Sequence, residues 1–280
     1  MSERPSRPHQ RDGGGGATAP RRWERHSPRT PRGRSPAPSR REGNTVILYG
    51  WHTVKAALEN PARRVRRLVV TENALRRLVA EGPALPVEPQ LVRPDAIATE
   101  LGPEAVHQGL LAEADPLPAP DVETLDADGI VLALDQITDP HNVGAILRSA
   151  AAFGIRAIVT TARHSPEATG VLAKSASGAL EYVPIAIVPN LARGLAALRE
   201  RGFLLIGLDS DGESDLAAVP LRAPLALVLG AEGKGLRRLT RETCDVVARL
   251  DLPGAIKSLN VSNAAALALY VATRSVGIKP

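Results

Sequence analysis

From Gly129 onward the chain alternates short, almost wholly apolar runs with longer helix-like ones, and this alternation constrains the fold more than any other feature of its 280 residues. The apolar runs fall at 131–134, 157–160, 183–188, 203–208, 225–229 and 246–250; helical patterns fall at 142–153, 191–200 and 261–273. Strands apolar on both faces must be covered on both faces, so the pattern predicts an α/β fold with a mostly parallel sheet between layers of helix. The last helical run is apolar nearly all round over 264–271, which places it in a core or a subunit interface.

A smaller unit precedes this one. An apolar run at 46–50, a helical run at 52–58, a strand at 68–70 and a helix after Thr71 predict a small α/β domain over 44–111. The stretch 112–128 holds three prolines and six acidic residues and reads as a linker to a second domain, 129–280. Residues 1–43 are mostly Arg, Pro, Ser and Gly, with eleven Arg against four acidic residues. Such a composition buries too little apolar surface to offset ordering entropy, so this tail is expected to be disordered: a solvated terminus, an arm that neutralises RNA phosphates, or, against its frequent Pro and Gly, a transit peptide. Because the whole chain is only +5, the other 237 residues sum to −2, and the high isoelectric point belongs to the tail. Cys244 is the one cysteine, which excludes an internal disulfide, and no Cys/His cluster offers a metal site. No apolar stretch approaches the roughly 20 residues of a membrane helix. A cytoplasmic protein with neither metal nor membrane partner is expected.

Three segments of the second domain carry chemistry. In the first, 134–149, a strand ends in a polar loop that opens a helix; Asn142 stands where a cap belongs and Arg148 lies in the second turn. Read alone, these are a helix cap and a solvated helix charge. In the second, 228–236, a buried strand runs into Gly230, Gly233 and Gly235 before a helix from about Leu236. Glycines there let backbone approach a ligand closely, although the string matches neither the GxxxxGK[ST] nor the GxGxxG pattern. Glu232, set among them, is otherwise an exposed carboxylate. The third, 250–263, passes from Leu250 through a loop to Ser258-Leu259-Asn260-Val261-Ser262, the capped start of the apolar helix. Polar residues at the mouth of a buried helix, beside a glycine-rich strand end, suit a crevice for a polar cofactor.

In this order and spacing the segments resemble motifs one, two and three of the SpoU (TrmH-like) branch of the SPOUT RNA 2'-O-methyltransferases. The likeness extends to the first unit, where Tyr49-Gly50, 68–73 and His107-Gln108-Gly109 resemble the L30e-like RNA-binding domain that precedes the catalytic domain in the ribosomal-RNA members. It therefore covers the chain from Val46 to the end. The resemblance implies a trefoil knot in the carboxyl-terminal part of the sheet, a homodimer across the site, S-adenosylmethionine as methyl donor, and ribosomal RNA as partner, with a 23S rRNA guanosine ribose as the nearest target. By position, Asn142, Arg148, Glu232, Ser258 and Asn260 match the family's catalytic-site residues. Gly230, Leu250 and Leu259 match positions that hold the cofactor largely through backbone groups. One departure is visible: Leu250-Asp251-Leu252 stands where the family often has Ile-Pro-Met, with Pro253 displaced.

The implied reaction requires a ribose hydroxyl to lose its proton as its oxygen attacks a sulfonium methyl, so the protein supplies alignment and a proton route. An arginine, with a reference pKa of about 12 or more, is a poor base. Arg148 is therefore expected to anchor an RNA phosphate and stabilise the developing alkoxide, although the family is commonly described with this arginine as base. Asn142 and Asn260 would orient Arg148 and the ribose, Ser258 would add a hydroxyl, and Glu232 would accept hydrogen bonds. A transfer-RNA target and a non-catalytic ribosome-assembly factor are the rival readings; the joint presence of Asn142, Arg148, Ser258 and Asn260 argues against the second. A nicotinamide oxidoreductase would need a glycine fingerprint after the first strand, and none is present.

Overall fold

The computed structural model describes residues 45–164 and 170–277; the arginine-rich tail at 1–43 lies outside the described residues. The first unit runs β1 (Val46–Tyr49), α1 (Trp51–Glu59), β2 (Val65–Val70), α2 (Glu72–Glu81), β3 (Gln90–Leu91), α3 (Pro94–Leu101) and β4 (Leu110–Ala114). Its sheet has the order β1-β4-β2-β3, with β4 antiparallel to both β1 and β2. Leu48, Leu68, Val70, Leu78 and Leu110 fill the core beneath α1 and α2. Thr71 starts α2 by accepting a hydrogen bond from the Ala74 amide, and Gly82 ends it in the left-handed conformation.

The expected linker at 112–128 is too long at both ends. Ala112, Glu113 and Ala114 are the second half of β4 and pair with β1 and β2. Both alanines are fully buried, while Glu113 faces outward and meets Arg67 at 2.9 Å. Ala112 and Ala114 thus continue the buried face that Leu110 begins, and Glu113 follows Leu111 on the other face in an ion pair with Arg67, a pattern that composition alone reads as connector. At the far end, Val122 opens a single 3₁₀ turn, Leu125 follows it, and both are buried in the second domain's core.

The second domain runs β5 (Ile130–Asp135), α4 (Pro140–Ala152), β6 (Ala157–Thr161), α5 (Gly170–Ala176), β7 (Ile185–Val188), α6 (Leu191–Glu200), β8 (Leu204–Leu208), β9 (Ser214–Asp215), β10 (Leu225–Gly230), α7 (Arg238–Thr243), β11 (Val246–Arg249) and α8 (Val261–Ser275). The sheet order is β7-β6-β5-β10-β8-β11-β9, and every pairing is parallel. All six residues of β5 are buried, as the apolar runs predict for a sheet covered on both faces. Ile146 and Leu147 of α4 join Ala268 and Leu269 of α8 over one face; Leu195 and Leu198 of α6 cover the other.

The last helix is only half as buried as its composition suggests. Val261, Ala265, Ala268, Leu269 and Ala272 face the core, whereas Leu267 and Tyr270 are 47% and 55% exposed in the single chain. Among the described residues no helix is long and apolar enough to cross a membrane.

Candidate active site

Because the sheet is parallel, β8, β10 and β11 deliver their carboxyl ends to the same side, the usual place for a ligand crevice in such sheets. A cleft of about 610 Å³ opens there, between the turn after β10, the loop after β11 and Asp209 at the end of β8. The turn is closed upon itself. A Cβ on Gly230 would overlap the Gly235 carbonyl group, and the Gly235 amide donates to the Ala231 carbonyl at 2.9 Å. Gly233 and Gly235 take φ values of 75° and 63°, the left-handed region that glycine enters without a steric cost.

Two carboxylates fasten this turn. Asp209 Oδ2 accepts the Leu236 amide at 3.3 Å and pairs with Arg241 at 3.2 Å. Asp135 ends β5 in register beside Gly230; its side chain is fully buried and accepts both the Arg237 amide at 2.9 Å and Arg237 Nε at 2.6 Å. Neither aspartate belongs to the residues singled out from sequence. The signal was available in both places: a lone carboxylate directly after an apolar strand. The helix after the turn is α7, which starts at Arg238, two residues beyond the Leu236 expected from sequence.

Of the eight residues singled out from sequence, Gly230, Glu232, Leu250, Ser258 and Leu259 line the cleft. Asn260 stands at its edge as the N-cap of α8, where its Oδ1 accepts the Ser262 amide at 2.9 Å and the Ser262 hydroxyl at 2.6 Å. Its Nδ2 donates to Asn142 Oδ1 at 3.0 Å, joining segments 118 residues apart. Asn142 is not the helix cap. Asp139 caps α4 by accepting the His141 amide at 3.0 Å, Pro140 occupies the first turn, and Asn142 is thereby left to face Asn260. Arg148 lies in the third turn of α4 instead of the second, is exposed, and forms no hydrogen bond or ion pair with another described residue. Six positions from Asn142 on a helix of about 3.6 residues per turn, it points roughly a third of a turn away, and it does not line the cleft.

The cations around the cleft are largely engaged. Besides Arg241, Arg249 meets Asp251 at 2.7 Å and donates to the carbonyls of Gly212 and Glu213, while Lys257 donates to the Leu252 carbonyl at 2.6 Å. Cys244 packs beneath the turn against Gly207, and burial pushes its thiol up to about 12, so it stays protonated and chemically quiet at neutral pH.

A wholly parallel sheet with a glycine turn, a capped helix mouth and an asparagine pair gathered at its carboxyl side is the layout of a SPOUT-type methyltransferase. Residues 129–270 match the SpoU rRNA Methylase family, and residues 47–120 match a domain described as RNA 2'-O ribose methyltransferase substrate binding. The chain is 39% identical over 249 residues to the 23S rRNA (guanosine-2'-O-)-methyltransferase RlmB of Ralstonia nicotianae, covering 84% of this chain and 97% of that protein. It is 36% identical over 241 residues to the RlmB of Pseudomonas putida, covering 83% and 97%. The crystal structure of the SpoU methyltransferase AviRb from Streptomyces viridochromogenes in complex with the cofactor AdoMet superposes with a TM-score of 0.70 at 26% identity, over 82% of this chain and 90% of that one. The chain belongs to the SpoU rRNA methylase family, and its second domain has the SPOUT-type α/β fold.

Proposed function

We propose that this methyltransferase transfers a methyl group from S-adenosylmethionine to the ribose 2'-hydroxyl of a guanosine in 23S rRNA. The observation that carries the reading is the hydrogen bond between Asn142 and Asn260, which ties the first segment to the edge of a crevice lined by the second and third. The activity named for the relatives and the match of the first domain to a substrate-binding module support the choice of RNA.

The cleft fits the cofactor by its own construction. Its turn offers backbone that a Cβ at Gly230 would obstruct, its walls offer Leu250 and Leu259 for an apolar ring, and Asp209 and Glu232 put carboxylates beside a cationic ligand. When bound, S-adenosylmethionine supplies an already activated methyl group on its sulfonium. The chain supplies alignment: Gly230, Leu250 and Leu259 hold the donor through backbone groups, and Glu232 accepts hydrogen bonds. Asn142 and Asn260 orient the ribose, with Ser258 adding a hydroxyl. Arg148 would anchor a phosphate and stabilise the developing alkoxide as the hydroxyl passes its proton to solvent water.

The enzyme works as a cytoplasmic homodimer without metal. Exposed Leu267 and Tyr270 on α8 supply apolar surface for a second copy, and Arg148, outside the cleft of its own chain, is placed for a site completed by that copy. Mapping 2'-O-methyl marks in total RNA from strains with and without the gene tests the substrate: loss of one 23S rRNA guanosine mark is expected, and loss of a transfer-RNA mark instead would refute it.

A further inference from the structure

Two signatures of the first domain, Tyr49-Gly50 and His107-Gln108-Gly109, meet α5 of the second. Gln108, held at a φ of 52°, uses one oxygen twice: Oε1 accepts the Trp51 amide at 2.9 Å and Lys174 Nζ at 2.9 Å. Lys174 lies so close over Gly50 that a Cβ there would come within 2.5 Å of its ammonium. The ring of Tyr49 closes on Gly170 in the same way, and Thr53 Oγ1 donates to the Ala173 carbonyl at 3.1 Å. Beyond α5, Glu181 receives Arg63 at 2.7 Å and Asn60 at 2.8 Å. One side of 170–181 is thus docked on the first domain along its whole length.

The other side is docked on α4. Gly144 approaches Ser175 so tightly that a Cβ would overlap the serine side chain, and Ser175 Oγ sits 3.2 Å from His141 Nδ1. His141 immediately precedes Asn142. Two consecutive residues of α5 therefore engage different domains: Lys174 takes the RNA-binding unit and Ser175 takes the mouth of the helix that bears Asn142. Lys174 is partly buried, and burial draws its pKa down. Among the described residues its ammonium has no carboxylate partner, and its one hydrogen bond goes to the Gln108 amide oxygen. Such a charge is sensitive to the loss of its one acceptor.

We propose that α5 registers the first domain against α4, with Lys174, acting through Gln108, as the positioning residue that fixes where bound RNA is delivered relative to Asn142. The inference rests on the methyl-transfer reading above. Neither Lys174 nor Gln108 lines the cleft, so the contact governs RNA and not the methyl donor.

Steady-state methyl transfer to 23S rRNA by the full chain tests this, with S-adenosylmethionine titration and thermal melting run alongside. Lys174→Met is expected to raise the KM for RNA about tenfold while leaving cofactor affinity within about twofold. Lys174→Arg, which still reaches Gln108, restores most of the loss. Lys174→Met combined with Gln108→Leu is no worse than the poorer single variant, because both remove one contact. An unchanged KM, an equal loss of cofactor affinity, or simple additivity of the two variants would overturn the proposal. So would a salt slope of RNA binding reduced by about one charge in Lys174→Met but not in Gln108→Leu, since that makes Lys174 a direct phosphate contact. If Lys174→Met melts early, Lys174→Gln, which keeps a donor, is scored by the same criteria. Should the wild type modify transfer RNA instead, the substrate reading fails, and the same variants decide the positioning role on that RNA.

Discussion

The wall of the cleft at 230–237 and the wall at 250–260 arise from strands of one sheet, yet they are held by different means. The first is covalently short and cross-braced: Gly230 leaves no room for a side chain against the Gly235 backbone, and Asp135 and Asp209 fix its far end from two neighbouring strands. The second is an open loop in which all residues from Pro253 to Ser258 are exposed and Ile256 is 76% so. Its ties are few, chiefly Lys257 to the Leu252 carbonyl and Arg249 to Asp251. One wall is therefore shaped before any ligand arrives, while the other depends on what fills the cleft. A preformed surface spares a ligand part of the ordering cost, and a loose one lets it enter.

The largest effect should come from a residue on neither wall. Arg148→Ala is expected to slow single-turnover methyl transfer by about 10²–10³-fold while S-adenosylmethionine affinity stays near normal. A wild-type rate would show that the chemistry belongs to the two walls alone. On the braced wall, Gly230→Ala drives a methyl group into the Gly235 carbonyl; a loss of about 1–3 kcal/mol in denaturant unfolding and at least tenfold (~1.4 kcal/mol) weaker cofactor binding by calorimetry should follow. Arg237→Ala leaves buried Asp135 with only the backbone amide as a described partner. Because Arg237 itself is 41% exposed, a loss of about 1–2 kcal/mol is expected, read as a lower melting temperature. On the loose wall, Ile256→Ala should change stability by no more than about 0.5 kcal/mol. Hydrogen exchange sharpens the contrast: amides of 254–258 should slow on cofactor binding, whereas the Gly235 amide, already bonded to Ala231, should be slow throughout. Equal protection of both walls in the free enzyme would end the distinction.

Apolar runs such as 131–134 and 225–229 are legible because a strand buried on both faces leaves no ambiguity about its environment. The polar strings around Asn142, Glu232 and Ser258 are legible for the opposite reason: they interrupt such runs at strand ends. Short elements of small residues escape notice. Gly-Val-Leu-Ala-Lys-Ser-Ala makes α5 with only two large apolar side chains, and its role depends on close approach at Gly144 and Gly170, which periodicity does not register. Cap position is similarly unsettled by sequence: Asp139 and Asn142 are both good caps, and Pro140 decides between them by fitting the first helical turn after Asp139. The placement of Arg148 outside the cleft is a matter of helix phase, set by which face of α4 packs on α5 and α8.

The sheet order carries a consequence for how the chain is made. β10 lies between β5 and β8, although it is synthesised after both. As the chain emerges from the ribosome, the first domain is complete at Ala114, whereas β5 and β8 each await the same missing neighbour, with apolar edges such as Leu132 and Ile206 uncovered until residues 225–230 arrive. Most side chains of the cleft are translated later still. A product halted before Gly230 would carry a finished substrate-binding module with nowhere to seat a methyl donor, and so would occupy RNA as a competitor of the full-length enzyme.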